Sequence, residues 1–495
     1  MLSIRSIVTK SRLNVLSLFH RHTDERTVNL NPVRLLSMLT FTDWCTFLSA
    51  YFCVMIDFFE YSTVAVESVE VAKYFKTTNT AISSGLTLSM LTRVIGAIIF
   101  GLLGDCGRKK PLIVNCLYLS IMQILTTKCT NLQGFLICRT FYGIGMGGIF
   151  GNAIQSVLDR SPIETKGLTT GLLWSAGDMA IFLTAGVKMA LDKHQGDRHD
   201  WRTIFYVGAV FSALAALFRF FVTESPQFTQ MKKLQEKAKD VKVRVSTFMK
   251  NFREMLKLHW GTFVYSSLFV GLLCSASHAC ADTYPVFLAE GKKLDDQSIT
   301  KTIMIVATGG FIGSCSGAGL SQKTGRRLCV IIAILVSLCL LPGYIFPRTY
   351  QALSAGGFFF IMAGNTAMSV ISIHISELSP PAFRSVMAGT SYQLGASLSS
   401  PVAVIINAIA SSYTIKQRDK DGIVHDIQAY GPVIGIATAI LYALVLLFTA
   451  IGPEKHSAPI DKFIPATFGT TQVDDRPVVP SDEQPSEPNG EATVA

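Results

Sequence analysis

Gly101-Leu-Leu-Gly-Asp-Cys-Gly-Arg-Lys-Lys110 and Gly319-Leu-Ser-Gln-Lys-Thr-Gly-Arg-Arg327 are two versions of one loop, each following a long apolar run. Glycine permits the tight turn such a loop needs between two helices. The cations that follow hold the loop at a membrane surface and can pair with acidic groups at neighbouring helix ends. One copy would say little. Two copies, one after the second apolar run and one after the eighth, point to a duplicated bundle.

The runs themselves are about 20 residues long, the length a helix needs to cross a bilayer. Twelve stand out: 41–66, 82–103, 111–128, 132–156, 168–191, 203–222, 259–289, 300–321, 328–346, 350–376, 385–409 and 430–452. The chain is 49% hydrophobic and only 16% charged, with a mean hydropathy of +0.39; soluble domains carry nearer a quarter charged residues. The expected fold is therefore all-α, a polytopic membrane protein of twelve transmembrane helices in two six-helix halves. Its parts are a basic N-terminal tail (1–40), a first half (41–222), an amphipathic linker (223–258), a second half (259–452) and a disordered tail (453–495) rich in Pro, Ser, Asp and Glu.

Net charge is +10, but the basic residues are spread over short loops and do not suggest nucleic acid. Arg5, Lys10, Arg12, Arg21, Arg26 and Arg34 precede the first span, Arg108, Lys109 and Lys110 follow the second, and a lysine-rich stretch follows the sixth. By the positive-inside rule all three sets are cytoplasmic, and so are both termini. Residues 1–22 lack acidic side chains, which also suits a mitochondrial transit peptide; the cytoplasmic tail is preferred. Most of the eleven cysteines lie in apolar runs without metal-like spacing, so no metal, cofactor or structural disulfide is expected. No phosphate loop or nucleophile elbow suggests an enzyme. The tails could serve kinase or ubiquitin machinery.

Ionisable groups inside a span are costly and mark pathways or proton relays. Arg93 stands in the middle of the second span, either as partner of a buried carboxylate such as Asp57 or Asp178, or as a clamp for an anionic substrate. In Leu273-Cys-Ser-Ala-Ser-His-Ala-Cys-Ala-Asp-Thr-Tyr-Pro-Val-Phe-Leu288, His278 and Asp282 are four apart and share a helix face. That pair can take up and release a proton, and Pro285 should kink the helix beside it. Arg139 precedes small residues that favour close helix packing, with a structural or coupling role. His374 and Glu377 close the tenth span, where Glu377 is expected to pair with Arg384 at a gate. Gln393 lies well into the eleventh.

These motifs together resemble the major facilitator superfamily, and within it the fungal Jen-type carboxylate permeases of the sialate:proton symporter branch. The likeness rests on the two loops, on Asp57-Phe-Phe, Arg93-Val-Ile-Gly-Ala-Ile-Ile-Phe-Gly, Gly145-Met-Gly-Gly, Trp201-Arg202, His374-Ile-Ser-Glu377-Leu-Ser-Pro-Pro-Ala-Phe-Arg384 and Tyr392-Gln393-Leu-Gly395. It runs over nearly all of 40–452. The first loop is one residue short at Cys106, and Gln322 takes the acidic position of the second. The family's seventh-span signature, Asn-x-x-Ser/Thr-His-x-Ser/Thr-Gln-Asp-x-x-x-Thr, is matched at Ser277, His278 and Asp282. Cys274, Cys280 and Ala281 replace polar members, and apolar groups such as Val286 stand near the final Thr. Trp174 and Asp178 also depart from the pattern.

The resemblance implies a plasma-membrane symporter of protons and small carboxylates such as lactate, pyruvate or dicarboxylates, working by alternating access. Arg93, Ser277, His278 and Gln393 would contact substrate. His278, Asp282 and Arg139 would couple the proton, and Asp105, Arg108, Gly325, Arg326, Glu377 and Arg384 would form the gating loops. Each lost hydrogen-bond donor is expected to cost roughly 1 kcal/mol of substrate contact. A transporter of another organic anion or sugar acid, and a non-transporting receptor on the same fold, are the alternative readings.

Overall fold

A computed structural model describes residues 31–77, 79–104, 107–195, 200–224, 241–380, 383–418 and 424–454. All twelve apolar runs fold as helices. They are α1 (Phe41–Val66), α2 (Asn79–Gly104), α3 (Lys109–Thr127), α4 (Leu132–Gly147 and Ile149–Leu158), α5 (Lys166–Trp174 and Ala176–Gln195) and α6 (Arg202–Phe221) in the first half. The second half holds α7 (Val241–Ser277, continued by π-helical turns to Gly291), α8 (Asp296–Thr324), α9 (Arg326–Ile345), α10 (Tyr350–Leu378), α11 (Arg384–Ser399 and Val402–Ser412) and α12 (Tyr430–Ile451). Among the described residues, ten helices are long and apolar enough to cross a membrane; α3 and α4 are not among them.

Local chemistry accounts for the breaks. Thr40 caps α1 through a capping box with Asp43. In α4, Gly148 stands so close to Phe100 and Asn115 that a Cβ would overlap them. Pro401, which lacks an amide hydrogen, separates the two parts of α11. Pro285 lies between two π-helical turns of α7, His278–Asp282 and Phe287–Gly291, the kind of local widening often found at functional positions. From Val241 onward the linker is helical and continues without a stop into α7, because no Gly or Pro interrupts residues 241–260. Between α11 and α12 a short antiparallel hairpin, β1 (Thr414–Arg418) and β2 (Val424–Gln428), sets Ile415 opposite Ile427.

Within each half, glycines let backbones touch. Gly143 and Gly147 on α4 meet the carbonyls of Ser89 and Arg93 on α2, and Gly96 meets Ile144. In the second half, Gly309, Gly313 and Gly317 on α8 meet the carbonyls of Phe358, Met362 and Thr366 on α10. Small residues are how helices approach closely in a bilayer, where no hydrophobic force drives them together.

Contacts between the halves gather toward the end of the bundle that carries Arg108 and Arg326, the basic end. Gly101 packs on Val386 and Gly151 on Gly389. Gln155 Nε2 donates to Ser376 Oγ at 3.0 Å, and Ser385 Oγ to Asn152 Oδ1 at 3.1 Å. At mid-height, Asp178 on α5 accepts from Ser314 Oγ of α8 (2.8 Å) and Asn365 Nδ2 of α10 (2.7 Å). That carboxylate is bonded across the seam between the halves and is not the partner of Arg93.

Candidate functional site

α1 carries two buried carboxylates, Asp57 and Glu60, on one face. Arg93 of α2 is 3% exposed, and its Nη2 lies 3.6 Å from Asp57 Oδ1. The same nitrogen donates to Met146 Sδ at 3.3 Å, and the guanidinium sits 5.7 Å from the centre of the Tyr61 ring. Arg93 Nε and Asp57 Oδ1 have no hydrogen-bond partner. A buried guanidinium with an unused donor, loosely balanced by one carboxylate, has capacity left for an anion.

The depth of that group relative to α11 follows from two contacts. Ser397 Oγ donates to the Met90 carbonyl at 2.6 Å, and Gly101 touches Val386. Both pairs are eleven positions apart on each helix, so α2 and α11 run antiparallel in one register, and Gln393 stands level with Arg93. Gln393 is fully buried, and neither its Oε1 nor its Nε2 has a partner. Its neighbour Tyr392 stacks on Phe150 of α4 with ring centroids 3.6 Å apart, and Trp174 of α5 meets both rings edge-on at 5.8 Å. Sequence reading passed over this aromatic cluster; a tyrosine inside the small, polar run Thr-Ser-Tyr-Gln was the available signal.

His278 Nδ1 and Asp282 Oδ2 are 2.7 Å apart inside a π-helical turn of α7. Their side chains are 15% and 37% exposed, and Ser277 is half-buried beside them. Gly271 packs against Gly395, so at 1.5 Å per residue His278 lies about 10 Å beyond Arg93, away from the basic end. The pair and the arginine therefore occupy different depths, with Tyr61, within electrostatic reach of both Asp282 and Arg93, between them. Of the replaced positions, Cys274 is buried, and Cys280 Sγ donates to the Ala276 carbonyl of its own helix at 3.1 Å.

Arg139 is fully buried and belongs to the first half. Its Nη1 donates to Gln123 Oε1 at 3.1 Å, and its guanidinium lies 4.0 Å from the centre of the Tyr142 ring. Tyr142 Oη and Ser212 Oγ both donate to Glu60. The sequence reading missed Glu60, although a second carboxylate three residues after Asp57 in an apolar run was visible.

At the basic end the halves repeat one arrangement. Arg108 Nε donates to Asp159 Oδ2 at 3.1 Å, while Glu224, just past α6, accepts from the amides of Arg108 (3.3 Å) and Lys109 (3.0 Å). In the second half Arg326 takes both oxygens of Glu377, at 3.1 and 2.8 Å, and Glu454, just past α12, accepts from the Arg326 amide at 2.7 Å. Gly325 makes the turn with φ +89°, a backbone glycine adopts without strain. Glu377, expected to meet Arg384, is thus held bidentately by Arg326. Arg384 is buried as the first residue of α11. His374 is buried against the rings of Phe269 and Tyr265, with neither ring nitrogen bonded. Asp105, Cys106 and the linker residues 225–240 lie outside the described residues, as do positions 1–30 and 455–495 of the two tails.

Known proteins place this architecture. The chain is 26% identical over 477 residues to the "Carboxylic acid transporter protein homolog" of Saccharomyces cerevisiae, covering 93% of this chain and 77% of that one. It is 22% identical over 330 residues to the sialic acid transporter NanX of Escherichia coli, covering 66% and 77%. Among solved structures, the human organic anion transporter MFSD10 superimposes with a TM-score of 0.61 at 12% identity, over 82% of this chain and 99% of the other. The proton:xylose symporter XylE does so with a TM-score of 0.60 at 15% identity, over 85% and 98%. The sequence profile of the Major Facilitator Superfamily matches residues 47–404, and the chain belongs to that family of membrane transporters.

Proposed function

We propose that this transporter is a proton-coupled symporter of small carboxylates, working by alternating access between its two halves. The observation that carries the reading is Arg93: a buried guanidinium with a spare donor, level with the unpartnered amide of Gln393 on the facing half. A carboxylate is the group that a planar guanidinium matches with paired hydrogen bonds, and the Gln393 amide would orient it. The name of the yeast relative supports the same substrate class. His278 and Asp282, bonded to one another nearer the other end, would take the proton whose charge offsets the anion. Arg139 would act on coupling indirectly, through Glu60 and the helix it shares with Asp57.

The basic end is taken as cytoplasmic and the membrane as the plasma membrane. With the seam closed at that end, loading would occur from outside.

The test is uptake of labelled lactate, pyruvate and succinate in permease-deficient cells at acid and neutral pH, with and without a protonophore. Acid-stimulated uptake that the protonophore abolishes is the expected result. Equal uptake with and without the gradient sinks the coupling, and full transport by Arg93→Ala removes that residue from the site.

A further inference from the structure

Two pairs of thiols face each other in the first half, each with its sulfurs 3.6 Å apart. Cys53 and Cys116 form one, between α1 and α3, and both are buried in the bundle. Cys129 and Cys138 form the other, where α3 turns into α4, and both are half-buried. That turn is tied down on each side. The amides of Lys128 and Cys129 donate to the carbonyls of Leu125 and Thr126, and Asn131 caps α4 by accepting from the Gly134 amide at 2.7 Å. Arg202 Nε of α6 donates to the Thr127 carbonyl at 3.0 Å. Gly134, one helical turn before Cys138, leaves space on α4 for the Cys129 sulfur, which lies 3.7 Å from where a Cβ would stand. Since α3 starts at the basic end and its 19 residues rise about 28 Å, the turn lies at the opposite end of the bundle.

Resting on the cytoplasmic assignment of the basic end, we infer that Cys129 and Cys138 are a modification site, joined as a disulfide in the mature protein, contrary to the expectation from sequence. The outer end of the bundle faces an oxidising compartment, where such bonds form and persist. Two thiols lose two protons and two electrons as one sulfur–sulfur bond forms, and a disulfide oxidant of that compartment takes them up to become two thiols. Burial, with Cys138 alongside, pushes the Cys129 thiol up to about 12, and the thiolate is the attacking species. Exchange therefore belongs to the time before the turn packs, and the packed turn shields the bond afterwards. Cys53 and Cys116 have the same separation but lie within spans, out of reach of an aqueous oxidant, and stay thiols.

The helices so joined explain what the bond does. Among the described residues, α3 and α4 fall outside the set long and apolar enough to cross a membrane, and α4 is interrupted at Gly148. A cross-link at their shared turn holds the two as one hairpin by restricting the unfolded chain. It also keeps Gly143 and Gly147 of α4 seated on α2.

The experiment is differential alkylation of the full-length chain. Membranes are denatured in N-ethylmaleimide, which labels free thiols, and reduction then exposes disulfide sulfurs to an isotopically heavy form of the reagent. Peptide mass spectrometry should find the heavy label on Cys129 and Cys138 and the light label on Cys53 and Cys116. Light label on Cys129 and Cys138 overturns the disulfide, and heavy label on all four overturns its restriction to the outer turn. In Cys138→Ser, Cys129 should take the light label; a heavy label there overturns the pairing. Sidedness is read separately from Gln297→Cys, an exposed position in the first turn of α8 at the same end. A membrane-impermeant maleimide should label it in intact cells; failure to do so overturns the cytoplasmic assignment of the basic end, and with it the reason for oxidation. Reduction should lower the thermal midpoint of the parent in detergent by several degrees and leave that of Cys138→Ser unchanged. A linked parent whose midpoint ignores reduction overturns the role of the bond in holding the hairpin.

Discussion

Arg93 and Asp57 face each other at 3.6 Å, within ion-pair range, yet Asp57 Oδ1 accepts no hydrogen bond and Arg93 Nε donates none. The pair is balanced in charge and incomplete in bonding. On the proposed reading, an arriving carboxylate would outcompete Asp57 by taking the paired geometry that Asp57 does not.

Asp57→Asn removes the competing charge. In uptake assays it should lower the KM for a transported carboxylate several-fold while accumulation against a gradient falls, since the anion then binds too well to leave. Arg93→Lys keeps the charge but loses the fork, and uptake efficiency (kcat/KM) should fall by at least ten-fold. An unchanged KM in Asp57→Asn would show that the two groups do not compete.

Glu377 and Arg326 are both almost fully buried and bonded through two hydrogen bonds. Breaking such a pair leaves a charge without partner in the interior, a loss of about 3–5 kcal/mol. Glu377→Gln should therefore lower the thermal midpoint in detergent by several degrees. The double variant Arg326→Met with Glu377→Met should recover much of that loss, which a scanning fluorimetry series on the parent and the two variants would show.

Asp178 is held by Ser314 and Asn365 from the opposite half. Asp178→Ala should loosen the seam from mid-height, and the separation should extend to the basic end. Spin labels at the exposed positions Glu164 and Lys323, one on each half, should report a broader and longer distance distribution in the variant than in the parent. An identical distribution would assign Asp178 a purely local role.

Lys292, just past α7, is half-buried, and burial pushes its pKa down to about 8, with Arg348 adding repulsion. The usual lysine value is about 10.4. The unfolded chain therefore holds this proton more tightly than the folded one. The penalty is fully present below about pH 8 and relieved as pH rises toward 10.4, so this residue's contribution makes the protein more stable across that window. The difference between parent and Lys292→Met in thermal midpoint should shrink from pH 7 to pH 10; a constant difference would count against the assignment.

The apolar runs and the paired loops were legible in the sequence because span length and loop charge are local properties. Arg93, His278, Asp282 and Gln393 stood out for the same reason: each is a polar group in an apolar stretch. Partners were another matter. Glu224 and Glu454 cap helices that begin more than a hundred residues earlier in the chain, and no periodicity announces a contact of that range. The π-helical turn around His278 was not legible either: Pro285 announces a kink beside it but not the form that the backbone takes. Asp178 was visible as a candidate partner for Arg93, but choosing between it and Asp57 required knowing which helix faces which. The Phe150–Tyr392 stack was hidden for a simpler reason: an aromatic residue in a membrane helix reads as ordinary filling.

The glycine-to-carbonyl contacts that join α2 to α4 and α8 to α10 have a consequence for genetics. A side chain added at Gly147 or Gly313 displaces backbone, whereas one changed along the seam, at Gln155 or Asp178, alters contacts that the proposed alternating access would make and break. Variants should thus sort into two phenotypes. Those on the glycine faces will change how much protein reaches the membrane, with turnover per molecule preserved in what arrives. Those on the seam will leave abundance near normal and change the speed of each cycle. Quantifying both in the same cells would draw the boundary between scaffold and moving part residue by residue.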